Sequence, residues 1–165
     1  MTSLVPRWII AIAGLGGSLL QSAESGVAAP GARGVEETLN QFHAAAAKAD
    51  GAAYFALFAP EGVFIGTDAT ERWTVEQFKN FAAPYFAKGK GWTYVPKTRH
   101  VELTPQGDVA WFDEILDNQS YGVCRGTGVL RKVGGAWRIS QYHLTIPVPN
   151  ELAAQVVKMI RNPKP

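Results

Sequence analysis

Between Val109 and Ile146 the chain reads as three consecutive strands, VAWFDEILDN, VCRGTGVLRKV and AWRISQYHLTI, separated only by short turns. Runs rich in β-branched and aromatic residues, alternating with polar ones and bounded by turn residues, are the signature of antiparallel strands. The second turn, Gly134-Gly135, is of the two-residue kind that favours a tight hairpin. A meander of this length demands a second layer to cover its apolar face, and the residues upstream must supply it.

They read as helices. Val35, Leu39, Phe42, Ala46 and Ala49 recur at helical spacing, with Glu36 and Glu37 early and Lys48 late, the polarity a helix dipole favours. Asp50 is placed to cap a short helix over 52–58, which Pro60 stops. Residues 62–66, GVFIG, form a short strand between glycines, and 67–73 a polar loop. Thr74-Val-Glu-Gln77 has the capping-box form and opens a helix that Pro84 kinks. Residues 92–103 read as a long strand in which Pro96 requires a bulge, a bend or an edge position. Asn150 is placed to cap a last helix carrying Leu152, Val156 and Ile160. Helices first and long strands after is an α+β order, with helices over one face of a single sheet.

The first 29 residues stand apart. Arg7 precedes an apolar run from Trp8 to Leu20, and the small residues Ser25 to Ala29 lead into Pro30. A charged start, an apolar middle and a small-residue site form a secretory signal, cleaved after Ala28 or Ala29. The apolar run is shorter than the roughly 20 residues a spanning helix needs. The expected division is a signal over 1–29, a linker over 30–34, one domain over 35–161 and a tail over 162–165. It implies a periplasmic or secreted protein, with no membrane attachment once the signal is removed. The net charge of +2 and the lack of a Lys/Arg run argue against a nucleic-acid partner. Cys124 is the single cysteine, so no disulfide forms within the chain, and it is expected to be buried.

ADGAAYFALFAPEGVFIG, a helix, and then RHVEL, DVAWFDE and GTGVLRKVGGAWRISQYHLTIP together resemble the SnoaL-like branch of the nuclear transport factor 2-like superfamily. The closing strand carries the most telling piece, Gly135, Trp137, Ile139 and His143. The resemblance implies a cone-shaped, strongly bent, mostly antiparallel sheet with N-terminal helices on its concave face. It also implies an interior pocket and, in many members, a dimer. The superfamily spans cyclases, isomerases, dehydratases and non-catalytic binding or assembly domains.

Strand register nominates the pocket residues. Through the Gly-Gly turn, Trp137, Ile139, Gln141 and His143 lie opposite Lys132, Leu130, Gly128 and Gly126, while Arg131 against Arg138 belongs in solvent. If Gln119-Ser120 is the loop, Asp113 faces Gly126, Trp111 faces Gly128, and Glu114 faces Arg125 on the outer side. Asp113 and His143 then look across Gly126 from about 10 Å. An odd-length loop would turn Glu114 inward instead. A carboxylate among apolar neighbours beside a histidine suits proton transfer without a cofactor, as in a lyase, isomerase or cyclase. The expected ligand is a small apolar molecule with a polar handle.

Gln141, Trp111, Glu114 and Arg125 are further pocket candidates on these strands. Trp73, Asp68, Glu71 and Arg72 are either the pocket mouth or a solvated loop. Tyr54, Tyr85 and Tyr121 are candidate hydroxyl donors, with core packing as the alternative for the first two. His43, beside the first helix's apolar stripe, reads as a satisfied core histidine. The histidines have no metal-ligand spacing. Three classes of function stay open: an enzyme using Asp113 and His143, a ligand carrier or sensor, and an assembly domain. The last would pair through an outer strip of Tyr142, Leu144 and Ile146, most simply as a homodimer.

Overall fold

The computed structural model describes residues 30–162, so the expected signal segment lies outside the described residues. The elements run α1 (Pro30–Ala47), α2 (Gly51–Ala56), β1 (Phe58–Ile65), β2 (Arg72–Thr74), α3 (Val75–Phe86), β3 (Val95–Leu103), β4 (Val109–Asn118), β5 (Gly122–Val133) and β6 (Ala136–Thr145). A single 3-10 turn, Asn150–Leu152, then leads into α4 (Ala153–Arg161). The strands make one open six-stranded sheet in the order β2-β1-β6-β5-β4-β3, antiparallel except where β1 meets β6. The fold is α+β and cone-like, with α1 packed on β3 and β6 and α3 on β1. Val35, Leu39 and Phe42 of α1 are buried against Leu130 and Ile139, and Trp137 closes the same core.

Several local expectations hold. Asp50 caps α2 through Ala53 N at 3.0 Å. Thr74 and Gln77 make both halves of a capping box at the start of α3. The sheet accommodates Pro96 in the two ways proline requires, because β3 is an edge strand and its pairing with β4 slips between Pro96 and Thr98. The hairpin glycines Gly134 and Gly135 take φ of +57° and +83°, as a two-residue turn of this hand demands. Cys124 is fully buried.

Others are corrected. Residues 30–34 are the first turns of α1, not a linker. Gly31 and Gly34 are helical because they sit where the helix presses on the sheet: a Cβ on either would come within 2.8 Å of Leu103 or Trp137. Residues 72 and 73 leave the expected loop and join Thr74 in β2, paired with Val63–Ile65. Asn150 makes no side-chain cap to the last helix.

Two register slips decide which face each strand shows to the cone. The β4–β5 loop is Gln119-Ser120-Tyr121, three residues, since Asn118 pairs with Gly122. The Asn118 side chain organises it by accepting from the amides of Ser120 and Tyr121, each at 2.9 Å, and Gly122 closes it at φ +67°. With that odd length Glu114 pairs with Gly126 and turns inward, and Asp113 pairs with Thr127 and turns outward. The second slip is a bulge in β6 at Ser140: Leu130 pairs with Ile139, but Val129 pairs with Gln141. Trp137 and Ile139 before the bulge, and Tyr142 and Leu144 after it, therefore all point inward.

Among the described residues no helix is long and apolar enough to cross a membrane.

Candidate functional site

The chemistry of the interior centres on Glu114, whose side chain is completely buried. Three elements converge on it. From β3, Arg99 stands directly opposite in the ladder and donates Nε and Nη2 to Glu114 Oε2 at 2.8 and 2.6 Å. From β6, Tyr142 donates its hydroxyl to Oε1 at 2.9 Å. From α1, His43 Nε2 lies 2.8 Å from the same oxygen. Gly126, between Glu114 and Tyr142 on the middle strand, makes that bond possible, because a Cβ there would run into both the Tyr142 hydroxyl and the Glu114 carboxylate.

Burial pushes the Glu114 carboxyl up, but the His43 hydrogen bond and the charges of His43 and Arg99 outweigh it and hold the pKa below its ordinary value of 4.5. Glu114 is therefore ionised and can only accept, so His43 Nε2 carries the proton in their shared bond. Burial, and then the negative charge of Glu114, push the Tyr142 hydroxyl well above its ordinary 10.0. Arg99 is itself held from behind, donating Nη1 to Asn40 Oδ1 at 2.8 Å and to the Glu36 carbonyl at 3.3 Å. Every side of the carboxylate is thus occupied, and a buried charge with an opposite partner and full hydrogen bonding is the form in which such a group is tolerated.

Next to this cluster a cavity of about 320 Å³ opens to the surface. Phe64 of β1 and Trp73 of β2 form one wall, and Phe78, Phe81 and Tyr85 form a stripe along α3. Trp92 and Tyr94, from the irregular segment leading into β3, and Tyr121, from the β4–β5 loop, complete the aromatic lining beside Leu144. The rings are ordered. Phe64 stacks on Phe78 with centroids 4.0 Å apart, and Trp73 lies within 24° of parallel to Phe64, Phe78 and Phe81. Polar groups are few: Thr67, the Glu71 carboxylate and the tyrosine hydroxyls. Burial pushes the Tyr94 hydroxyl up to about 12. A gap of about 10 Å³ lies deeper, lined by His43, Tyr142 and Tyr54, and it shares Phe64, Trp92, Tyr94 and Leu144 with the cavity.

Of the residues nominated by sequence, Glu71, Trp73, Tyr85 and Tyr121 line the cavity and Tyr54 lines the gap beneath it. Glu114 is interior, as the odd-length loop requires, and does not meet Arg125, which is exposed opposite Ile115. Asp113 and His143 do share a row across three strands, as expected, but on the outer face and through Thr127 instead of Gly126. Trp111 is 48% exposed on that face, and Gln141 lies there too. The expected outer strip is also corrected, since Tyr142 and Leu144 are buried and only Ile146 is exposed. Asp68 stays in its loop, bonded to Thr70 at 2.8 Å (amide) and 2.6 Å (hydroxyl). His43 is the satisfied core histidine its helix position suggested.

The sequence reading named neither Arg99 nor most of the aromatic wall, and it put Tyr142 on the outer face. One signal for Tyr142 was present: inward apolar positions run 137, 139, then 142, 144, a change of parity that marks the bulge. The spacing of Phe78, Phe81 and Tyr85 on one helix face was another. Among the described residues no group of three or more His, Cys, Asp or Glu side chains is placed to hold a metal ion.

Comparison with known proteins agrees with this architecture. The SnoaL-like domain family matches residues 35–149, and the chain belongs to that family. Solved structures with the same fold include an NTF2-like protein of unknown function from Pseudomonas putida, 15% identical, covering 71% of this chain and 87% of that one with a TM-score of 0.58. A candidate ketosteroid isomerase from Shewanella frigidimarina is 22% identical over 68% of this chain and 94% of its own, with a TM-score of 0.55. A candidate calcium/calmodulin dependent protein kinase II association domain from Xanthomonas campestris is 25% identical over 81% and 94%, with a TM-score of 0.54. No curated protein sequence matches the chain.

Proposed function

We propose that this protein binds a small, flat, largely apolar molecule in the aromatic cavity, as a carrier or sensor. The observation that carries the reading is the cavity's lining, a half-open space of about 320 Å³ walled almost entirely by rings. Cavities of this size with mostly apolar walls and a few placed polar groups are typical small-molecule sites. The buried Glu114 cluster favours binding over proton transfer, because a carboxylate held ionised below its ordinary pKa and surrounded by donors is a weak base.

Quenching of Trp73 and Trp92 fluorescence by 2-naphthol tests it. Saturable binding that weakens at least about tenfold in a Phe81→Ala, Tyr85→Ala double variant is expected, each ring contributing roughly 1 kcal/mol. Unchanged affinity in that variant refutes the site.

A catalytic form of the reading rests on one further observation, that His43 and Tyr142 line the small gap that shares Phe64, Trp92, Tyr94 and Leu144 with the cavity. There Glu114 orients His43, and the imidazole moves a proton between two positions of the ligand, as a lyase, isomerase or cyclase requires. His43→Asn should then abolish turnover and leave 2-naphthol affinity unchanged, while undiminished turnover excludes His43.

Export and self-association complete the proposal. Mass spectrometry of periplasmic and medium fractions should find a chain beginning at Ala29 or Pro30. A cytoplasmic chain retaining residues 1–29 counts against export. A homodimer would form through the outer sheet face, where Trp111 and Val123 are 48% and 60% exposed. The name of the similar association domain is in keeping with that use of the fold. Sedimentation should show a dimer that Trp111→Asp converts to monomer; a wild-type monomer would refute it.

A further inference from the structure

The charge inside the aromatic cavity is one-sided. Of its lining residues only Glu71 is an acid, and no lysine, arginine or histidine is among them. Arg72, the nearest cation in sequence, is exposed and does not line the space. The carboxylate is held in place by the turn that carries it. Gly66 N donates to the Glu71 carbonyl at 2.8 Å, Glu71 N donates to the Asp68 carbonyl at 3.0 Å, and Asp68 N donates to Glu71 Oε2 at 3.2 Å. Gly66 is required for this placement, because a Cβ there would collide with the Glu71 carboxylate. Asp68 adds a second negative charge to the same turn, its pKa lowered chiefly by the Thr70 hydroxyl.

Around Glu71 stand eight aromatic side chains, two of them tryptophans. Aromatic faces carry negative electrostatic potential and attract organic cations, tryptophan most strongly. An anionic ligand would meet the Glu71 charge with no cation in the lining to offset it, and a neutral one would gain nothing from that charge.

From these placements we infer that the cavity takes an organic cation, a protonated or quaternary amine on an apolar body, with its charge beside Glu71 and its body among the rings. The inference rests on the binding reading above and specifies its ligand class.

Three probes of similar shape test it by tryptophan quenching in the purified protein: benzyltrimethylammonium, its uncharged isostere neopentylbenzene, and benzylsulfonate. The cation should bind about tenfold more tightly than the isostere, and the sulfonate more weakly than both. Glu71→Gln should close that gap without changing the isostere's affinity, and Glu71→Lys should favour the sulfonate. Isostere affinity retained in both variants also shows that the site is folded. Equal affinities for cation and isostere, or a gap untouched by Glu71→Gln, overturn the cation inference and leave the cavity as an apolar binding site. Absence of saturable binding by any probe overturns both readings.

Discussion

At the scale of single residues the protein depends on a charge it has buried. Glu114 is fully enclosed and makes its bonds to groups from α1, β3 and β6, so it ties the helical layer to both halves of the sheet. Removing the charge while keeping the shape, as in Glu114→Gln, leaves the Arg99 guanidinium buried without its counterion. Breaking one side of such a pair costs about 3–5 kcal/mol, and urea denaturation should read a loss of that size. The pH dependence follows from the direction of the shift. The folded pKa is below the ordinary 4.5 expected of the unfolded chain, so the stabilisation is complete above that value and fades as pH falls through the folded pKa. Wild type should therefore lose stability below about pH 4.5 more steeply than Glu114→Gln. Parallel acid-unfolding curves for the two proteins would show that Glu114 does not hold this role. Gly126 is the silent partner, conspicuous in the sequence as a glycine within a strand, though its purpose is to make room for the Tyr142–Glu114 bond instead of for a ligand.

At the scale of elements, the loop from Asn118 to Gly122 selects the acid that enters the cone. The strands, the capping box, the hairpin glycines and the proline at the edge were legible because each follows from a local rule about backbone or periodicity. The identity of the inward acid was not, since side chains alternate with a period of two and a one-residue difference in loop length reverses every assignment. Asn118 and Gly122 held the decisive clue, an Asx-type turn closed by a glycine with positive φ, which makes the loop three residues long. The bulge at Ser140 was the second obstacle, displacing His143 from the inner face in favour of Tyr142 and Leu144. Two variants, one substitution and one deletion, separate the loop's geometry from its length. Gly122→Ala strains a left-handed position and should cost about 1 kcal/mol. Deleting Ser120 leaves an even-length loop that directs Asp113 inward, and the chain must then expose Glu114 or break the ladder. That deletion should cost at least as much as Glu114→Gln by urea denaturation. A stability equal to that of Gly122→Ala would mean that loop length does not set the register.

For the whole molecule, the core closes without the C-terminal helix. The buried residues come from α1, α2, α3 and the strands, and α4 contributes none, with Met159 and Ile160 63% and 72% exposed. Burial of apolar area supplies most of a domain's stability, at about 25 cal/mol per Å² removed from water, and a helix that buries no residue adds little on that account. Nor does α4 touch the Glu114 cluster or line the cavity. Ending the chain at Pro149 should accordingly leave the melting temperature within about 2 °C of the full-length value, a shift corresponding to less than about 1 kcal/mol for a domain of this size. Quenching by 2-naphthol should be unchanged in the same truncated protein. A drop of several degrees at dilute concentration would show that α4 packs on its own domain in solution. A drop that appears only at concentrations where wild type self-associates would instead place α4 in the contact between copies. Calorimetry at two protein concentrations distinguishes these outcomes, because stability gained through association rises with concentration and stability gained within one chain does not.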